Sequence, residues 1–521
     1  MRRPLTLLLA LVLALSLAAP SLADAPEYPL QTDAKLTWWV TLTPNVSAFA
    51  ADMNGLPYTK ALIEKTGVDI EFVHPAVGQE QEQFNLMVAS AKMTDIVEAN
   101  WLGWYTAGMD VAIENNLCYA LNEHLEDWTP AFKRYLDTYP EVNKMSKTDA
   151  GNYYGFTFIM IDDILKASSG PYIRTDWLAK VGMEKPETID EWEAVLTAFR
   201  DTFEASAPLC GDGNGLNMFW NEAIVSAYGV TKGFYHVGDE VKYGPLEPGY
   251  KEFVIRMAQW YQEGLINPNF ITDKSAERDT LFMNEQTGIT FGFAQSGLNR
   301  LWTALKEVNP EATCEAIPYP VLNKGDRPMH GQKYFSVASS PVTVVNPNSA
   351  NLETAIKMLN YMYTEDGTIF NNFGIEGESF TYVDGVPTMT DNIINPTGST
   401  IAQEWAKYAR SVYNGPFEQL AGFMMQYQTK DVLRNALAIW SDTDTLEYKI
   451  PLITMTSEES KVFAQVMNDV NLIIEEWVCA AIMGTADVND FDTALTEQIR
   501  SAGVEEALAI QQAAFDRYNA R

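Results

Sequence analysis

The sequence predicts two α/β domains between which the chain crosses more than once, followed by a mostly helical C-terminal region. Strand-like segments alternate with amphipathic helical segments early in the chain, and the same alternation returns after residue 250. Such alternation is typical of parallel sheets with crossover helices. No Pro/Ser-rich linker separates the two blocks, which favours repeated crossing. A chain of 521 residues is too long for one hydrophobic core, so we expect two or three domains.

The N-terminal residues 1–23 predict a signal peptide. Arg2 and Arg3 precede an apolar run over residues 5–19, and small residues follow at a plausible cleavage point. The run is shorter than the ~20 apolar residues that span a bilayer, so we expect export rather than an uncleaved anchor. No cysteine follows the run, so the chain has no attachment point for a lipid there.

The first block contains three predicted strands. The run LTWWVTL, residues 36–42, is apolar, aromatic and β-branched, as in a strand covered on both faces. The segment VDIEFVHP alternates apolar with acidic residues, which predicts a half-buried strand. After it, QEQFNLMVASAK places apolar residues on one helical face, and TDIVEAN predicts a third strand.

The segment YIRTDWLAKVGMEKPETIDEW predicts a strand end and two helices in quick succession. Gly182 ends the first helix, and Thr188 with Glu191 forms a capping box that opens the second. Arg174 and Trp177 stand where the strand meets the first helix. Trp177 falls within the first helix, and we expect it to be a buried packing residue. Arg174 fits either a structural ion pair or a group that faces a ligand.

The second block repeats the pattern. Residues 250–264 predict a helix that ends at Gly264, residues 287–293 and 335–345 predict strands, and residues 351–363 predict another helix. The last hundred residues are mostly helical in pattern.

The charge balance excludes several classes of partner. Without Arg2 and Arg3 the mature chain has 34 basic and 69 acidic residues, a net charge of −35. Nucleic acids and anionic lipid surfaces need clustered Lys and Arg, so we expect neither as a partner. Acidic polymers would also bind poorly unless a local basic patch exists.

Motifs of known catalytic chemistry are missing. The chain contains no HExxH, nucleophile elbow, Walker loop or GxGxxG, and its four histidines do not have metal-ligand spacing. A glycosidase carboxylate pair stays open, because such a pair is defined by a separation in space. We therefore expect no catalytic residues and no cofactor.

Two further patterns concern metals and disulfides. Cys118, Cys210, Cys314 and Cys479 are about a hundred residues apart, which allows one or two disulfides or four buried thiols. The run GDGNG at residues 211–215 predicts a turn or part of a Ca²⁺ loop, but the full spacing of acidic ligands is absent. We predict no metal.

Aromatic residues are abundant, with 13 Trp, 24 Tyr and 24 Phe. Several stand just past predicted strands, and ligands of parallel α/β sheets bind outside the carboxyl ends of the strands. Sugars present apolar C–H faces ringed by hydroxyls, so a sugar site needs flat aromatic rings and polar side chains. Each tryptophan alone also fits packing in the core.

The segment that contains Arg174 resembles the motif IRxDWLxKxGxxxPxTxxEW of bacterial extracellular solute-binding proteins of ABC importers (family 1-like, oligosaccharide-associated subgroup). Further resemblances follow in chain order over nearly the whole mature chain. QEQFNLMVASAKMTDIVEAN resembles ASGxxPDI, with Lys92 and Thr94 departing from it, and GNYYGFTF resembles GKxYGxP. WYQEGLINPNF resembles LYxEGLIxPxF, FGIEGESFTYVDGVP resembles GxEGxxYxxxDGxP, and the last 40 or so residues resemble the terminal helices of the family.

The resemblance implies a two-lobed periplasmic-binding-protein-like fold (type II) with a helical C-terminal extension. It implies a non-catalytic component that binds an oligosaccharide or polysaccharide fragment between the lobes and delivers it to the permease subunits. We expect an extracytoplasmic monomer without the lipobox cysteine of many relatives. The alternatives are a secreted carbohydrate-active enzyme and a peptide-binding receptor of the same fold.

We assign residues 24–165 and 290–365 to lobe one, and residues 166–289 and 366–521 to lobe two. The corresponding hinges lie near residues 160–170, 288–295 and 360–368. Strand-end position and motif location together predict ten ligand-binding residues. They are Thr43, Asn45, Trp101, Trp104, Tyr105, Arg174, Trp220, Gln295, Ser296 and Glu376.

Overall fold

The structure is a computed structural model that describes residues 26–211, 213–219, 222–410 and 415–521. The predicted signal peptide and Trp220 lie outside the described residues. The strands are β1 Lys35–Val40, β2 Asp69–Val73, β3 Ile96–Ala99, β4 Phe156–Met160, β5 Ser169–Arg174, β6 Phe234–Val237, β7 Glu240–Tyr243, β8 Ile289–Phe293, β9 Cys314–Ala316, β10 Val337–Val345, β11 Phe380–Val383, β12 Val386–Met389 and β13 Glu418–Gln419.

The α-helices surround these strands. The first fifteen are α1 Pro44–Ser47, α2 Pro57–Thr66, α3 Glu80–Ser90, α4 Trp101–Trp104, α5 Met109–Glu114, α6 Pro130–Thr138, α7 Pro140–Met145, α8 Asp163–Lys166, α9 Thr175–Val181, α10 Ile189–Phe203, α11 Pro248–Gln262, α12 Ser275–Met283, α13 Arg300–Val308, α14 Leu352–Tyr361 and α15 Glu365–Phe373. The others are α16 Asp391–Ile394, α17 Ile401–Trp405, α18 Ala421–Tyr427, α19 Asp431–Ser441, α20 Thr445–Tyr448, α21 Ser457–Ile482, α22 Glu497–Ser501 and α23 Val504–Asn519.

The larger sheet has the strand order β13-β4-β10-β3-β1-β2. Strands β1, β2 and β3 are parallel, as the strand–helix–strand pattern predicted. Trp38 and Trp39 point to opposite faces of β1 and belong to two different hydrophobic clusters, so both faces are covered. Strand β2 lies at the edge, where Asp69 and Glu71 are exposed and Ile70 is buried, which explains its alternating sequence.

The smaller sheet has the order β8-β5-β9, with β5 antiparallel to both neighbours. The helices that follow β5 begin and end where the sequence predicted. Gly182 adopts a left-handed conformation after α9, and Thr188 and Glu191 form the capping box of α10. These boundaries are set by local hydrogen bonds, which makes them predictable from sequence.

The C-terminal hundred residues are mostly helical, as predicted. The 26-residue helix α21 packs against α11 and α23. In the part of the chain that the structure describes, no helix combines the length and the apolar character needed to cross a membrane.

The sheet pairing differs from the predicted lobe boundaries. Strand β8 pairs with β5, so residues from 290 onward stay with the smaller sheet until Ala316. The chain returns to the larger sheet at Val337, and Glu418 and Gln419 of β13 also pair there with β4, so a part of the chain assigned to lobe two belongs to the larger sheet. The hinges predicted at 288–295 and 360–368 therefore fall inside packed elements. Sequence patterns identify a strand but do not identify its partner, which caused both differences.

Candidate functional site

One edge of the larger sheet faces the smaller sheet. Strand β10 is antiparallel to both β3 and β4, so β3 and β4 run in the same direction as β1. The chain leaves the larger sheet at Met160, the end of β4, and begins β5 at Ser169. The carboxyl ends of β1 and β3 therefore lie at the same edge as this exit, where α/β sheets bind ligands.

Within the described residues, three segments of the chain cross between the two sheets. The first crossing segment, residues 161–168, and the second, residues 317–336, lie side by side. The Met160 N–H donates to the Ser336 carbonyl at 2.8 Å, and the Tyr334 N–H donates to the Lys166 carbonyl at 2.8 Å. The side-chain oxygen of Gln332 accepts from the Ser168 N–H at 2.8 Å. The hinge predicted at residues 160–170 coincides with the first of these segments.

The third crossing segment, residues 420–430, leads from β13 to α19. Helix α19 packs on β5, where the Trp440 indole N–H donates to the Pro171 carbonyl at 3.0 Å. A Cβ atom at Gly170 would lie 2.4 Å from the Trp440 ring, so Gly170 is required for this close packing. Gly170, which falls within the hinge predicted at residues 160–170, thus has a packing role.

Gln295 and Ser296 directly follow β8, at the end of the smaller sheet that meets the crossing segments. The Gln295 amide donates to the Tyr427 carbonyl at 3.1 Å and to the Gln428 side-chain oxygen at 2.9 Å. Ser296 is exposed, and its carbonyl accepts from Arg300. Both residues lie at the junction, with Gln295 bonded to the third crossing segment.

Thr43 and Asn45 follow β1 at the edge that faces the junction. Thr43 caps α1 by accepting a hydrogen bond from the Val46 N–H. Both predicted residues are half-buried. Helix α1 thus holds them beside the residues that follow β3.

The three aromatic residues after β3 have different surroundings. Trp101 is 0% exposed, its indole N–H donates to the Val97 carbonyl at 3.2 Å, and its ring meets Phe84 edge-on at 4.9 Å. Trp104 and Tyr105 are half-buried at the surface of the same cluster. In this conformation Trp101 supports the cluster, and only Trp104 and Tyr105 offer ring surface to a ligand.

Arg174 lies at the end of β5 that is remote from the junction. Its side chain is 0% exposed and forms ion pairs with Asp176 at 2.7 Å and Glu285 at 3.1 Å. Its guanidinium also lies 4.8 Å from the Trp177 ring centroid. Arg174 is the sixth residue of β5, five residue steps or roughly 16 Å from Ser169 in an extended strand. Of the two alternatives the structure has the structural ion pair, so the ligand-binding assignment of Arg174 is corrected.

Glu376 and Trp220 complete the predicted set. Glu376 is exposed in the turn between α15 and the β11–β12 hairpin. Trp220 lies outside the described residues. The structure thus brings Thr43, Asn45, Trp104 and Tyr105 to one edge, and Gln295 and Ser296 to the facing junction.

A polar cavity of about 460 Å³ borders the second crossing segment. We call it the lysine pocket. Its lining includes Glu222, Lys232, Tyr235, His330, Lys333 and Lys449. Sequence reasoning missed it because these residues come from three separate stretches of the chain, and no local pattern connects them.

Burial perturbs several groups in the lysine pocket. It lowers the pKa of His330 to about 4 and also lowers the pKa of Lys449. It raises the pKa of the Glu222 carboxyl, against the opposing effect of a hydrogen bond from the Lys232 N–H at 2.8 Å. Perturbed groups that converge on a cavity are a recognised indication of a functional site.

A buried ion pair joins strand β3 of the larger sheet to Arg410. Glu98 on β3 accepts from the Arg410 guanidinium, and both side chains are almost fully buried. Burial raises the pKa of Glu98, while Arg410 opposes that shift. The guanidinium also lies 5.5 Å from the Trp38 ring centroid, so the pair fixes Arg410 onto the sheet.

The four cysteines are free and buried, and burial raises the thiol pKa of Cys118, Cys314 and Cys479. Of the two alternatives left by the sequence, the structure has buried thiols. No group of three or more metal-ligating side chains occurs within the described residues, which do not include Asp212.

Comparison with known proteins identifies one family. Residues 47–369 match the family model described as bacterial extracellular solute-binding protein. The chain is 23% identical to the fructooligosaccharide ABC transporter substrate-binding protein FusA of Streptococcus pneumoniae, over 96% of this chain and 94% of that protein.

Two solved structures are similar over nearly their full length. One is the alginate-binding protein AlgQ2 without calcium ion, at a TM-score of 0.71 and 23% identity, covering 94% of this chain and 100% of that chain. The other is a solute-binding protein from Bifidobacterium longum infantis described as HMO binding and ABC-transporter associated, at a TM-score of 0.74 and 18% identity. The match covers 93% of this chain and 99% of the Bifidobacterium chain.

Proposed function

Because this chain belongs to the bacterial extracellular solute-binding proteins and is the substrate-binding component of an ABC transporter, we propose that its solute is an oligosaccharide held between two lobes. The family and the two-lobed periplasmic-binding-protein-like fold (type II) agree with the resemblance found in the sequence. Each lobe is built on one of the two main sheets, and the crossing segments form the hinge between them.

The observation that carries the proposal is the position of Trp104 and Tyr105. Their half-buried rings stand at the carboxyl end of β3, at the edge from which the chain crosses to the smaller sheet. Flat aromatic surface at a strand-end cleft suits the C–H faces of sugar rings. Thr43, Asn45 and Ser296 stand at the same junction and supply polar groups for hydroxyls. Relatives named for fructooligosaccharide and alginate binding support the same class of ligand.

Members of this family bind solutes and are not enzymes. We extend this to the present chain: it releases its ligand unchanged to the permease. The exported protein works outside the cytoplasm, as its family does. We further propose that it acts as a monomer and that residues 1–23 direct its export without a lipid anchor.

A thermal-shift screen over neutral and acidic oligosaccharides and a peptide library tests the proposal. A ligand at 100 times its Kd stabilises the folded state by about 2.7 kcal/mol, so a true ligand gives a clear upward shift in Tm. We expect an oligosaccharide to give it. A response to peptides alone would favour a peptide receptor, and steady product release from the bound sugar would favour an enzyme; each result would overturn the proposal.

A further inference from the structure

The lysine pocket lies on the smaller-sheet side of the hinge. Its lining includes residues 331–334 of the second crossing segment, which also bond to Lys166 and Ser168 of the first. Its volume of about 460 Å³ falls within the ~300–1,000 Å³ that is typical of small-molecule sites. A molecule bound there would contact the strand on which lobe movement depends.

The charge of this pocket is opposite to that of the protein. Three lysines and one glutamate are among its lining residues, in a chain whose formal net charge is −33. The Lys449 ammonium donates to the Lys333 carbonyl at 2.5 Å, and the Lys333 ammonium donates to the Ser441 carbonyl at 2.9 Å. Within the described residues, neither ammonium has a carboxylate oxygen within 4.0 Å. Glu222 in the same lining interacts electrostatically with Lys449 but forms no direct ion pair with it, so one carboxylate faces three lysines and an anionic ligand would balance the excess positive charge.

His330 contributes an unsatisfied polar atom. Its side chain is 1% exposed, and its Nε2 atom has no hydrogen-bond partner among the described residues. The rings of Tyr235 and Tyr448 meet it edge-on, with centroids at 5.3 Å and 5.6 Å. Buried polar atoms almost always have a partner, but this Nε2 is enclosed beside the cavity, so a ligand would reach it only after a local rearrangement.

Other lining residues suit a sugar ring. Phe234 and Tyr235 provide aromatic surface, and Glu222 and Thr231 provide oxygens that accept hydrogen bonds from hydroxyls. An anionic group together with hydroxyls on one compact ring describes a sugar acid. Phosphate alone would match the lysines but leave the aromatic wall and Glu222 without a function.

We propose that the lysine pocket binds a uronic acid residue of the transported oligosaccharide, with its carboxylate beside Lys449. The inference rests on the proposed function and narrows it to acidic sugars. It resolves the conflict between a strongly acidic chain and an acidic ligand, because the positive charge is confined to one pocket. Binding beside the second crossing segment links occupancy of the pocket to lobe closure.

Isothermal titration of the mature protein tests this inference. The probes are oligogalacturonides and alginate oligosaccharides, their carboxyl-reduced neutral counterparts, and inorganic phosphate. We expect an acidic oligosaccharide to bind at least tenfold more tightly than its reduced counterpart. Equal binding of both, or binding of phosphate without either acidic sugar, would overturn the assignment. Binding of neutral oligosaccharides only would overturn it as well, while the proposed oligosaccharide function would stand.

Variants locate the site. Lys449→Met should lower the affinity for the acidic oligosaccharide at least tenfold, and Lys449→Arg should lower it less because the charge remains. Lys185→Met removes a partly exposed lysine that pairs with Glu315 outside the pocket and should leave the affinity unchanged. If Lys449→Met does not fold, the exposed Lys232→Met serves in its place. An unchanged affinity in every folded pocket variant would exclude the lysine pocket as the site.

Discussion

The side-chain oxygen of Gln332 accepts hydrogen bonds from the N–H groups of Ser168 at 2.8 Å and Ser169 at 3.2 Å. Gln332 follows these serines by 164 and 163 residues, so the contact joins two distant segments of the chain. All three residues are buried. The contact fixes the relative position of the two crossing segments, which form the hinge in the proposed function.

Substituting Gln332→Leu should therefore destabilise the protein. Two buried N–H groups would lose their acceptor, at a cost of about 1–3 kcal/mol for each group that water does not reach. Urea unfolding measures the free energy of unfolding. The matched substitution Gln259→Leu, on the exposed side of α11, should change it by less than about 0.5 kcal/mol. Equal effects of the two substitutions would contradict the role given to Gln332.

Replacement of Arg174 should reduce stability and leave ligand affinity unchanged. Arg174→Met leaves the carboxylate of Asp176, which is 12% exposed, without its cation, so we expect a loss of about 3 kcal/mol. The control Arg300→Met removes a half-exposed ion pair with Asp279 and should cost less than about 1 kcal/mol. A weaker affinity of folded Arg174→Met for its oligosaccharide would restore Arg174 to the binding site.

Trp104 and Trp101 should respond differently to truncation. Trp104→Ala should weaken oligosaccharide binding by about 1–3 kcal/mol if its ring stacks on a sugar, with little change in Tm. Trp101→Ala should instead destabilise the fold by about 3–5 kcal/mol, because its ring is fully buried.

Trp128 provides the matched control for Trp104. It is also half-buried, but it follows the segment that bonds to Val345, at the opposite edge of the larger sheet. Titration calorimetry of both alanine variants should show an affinity loss for Trp104→Ala alone. A loss of equal size at Trp128 would mean that the effect is not local to the cleft.

The folded protein should lose stability as the pH decreases, because His330 takes up a proton. Burial lowers its pKa from an ordinary 6.5 to about 4, so below pH 6.5 the unfolded chain binds a proton that the folded state resists. The folded state therefore loses stability as the pH falls from 6.5 towards 4, by about 3 kcal/mol at most. Glu222, Lys232 and Lys449 line the same pocket. Burial raises the pKa of Glu222, so the contribution of Glu222 to stability increases as the pH falls, opposite to that of His330.

The variant His330→Gln isolates this contribution. Its free energy of unfolding should depend less on pH between 6.5 and 4 than that of the natural chain, as measured by urea unfolding at several pH values. The control His236→Gln, at a partly exposed histidine on β6, should keep the natural dependence. Parallel pH profiles for the natural chain and His330→Gln would exclude His330 as the source.

The two lobes should close on the ligand, because each lobe contributes contacts that exist together only in the closed state. Small-angle scattering with a ligand identified by screening should show a smaller radius of gyration at saturation. An unchanged radius would mean that the lobes are rigid or that the ligand binds elsewhere.

Local patterns in the sequence determined much of the fold. The alternation in Asp69–Val73 predicted a half-buried strand, the capping box of Thr188 and Glu191 predicted the start of a helix, and Gly182 predicted the end of another. The helical C-terminal region and the position of Trp104 and Tyr105 after β3 were also predicted. Each of these features depends on interactions between residues a few positions apart, so the local sequence is sufficient to specify it.

The lobe boundaries, the role of Arg174 and the lysine pocket were decided only by tertiary structure. Strand β8 belongs to the smaller sheet because it forms hydrogen bonds with β5. Arg174 pairs with Glu285, which lies 111 residues further along the chain. Lys449 and His330 line the same cavity although they belong to separate segments of the chain. Hydrogen-bond pairing, ion pairing and cavity formation between distant segments depend on which surfaces pack together, and no short stretch of sequence specifies that.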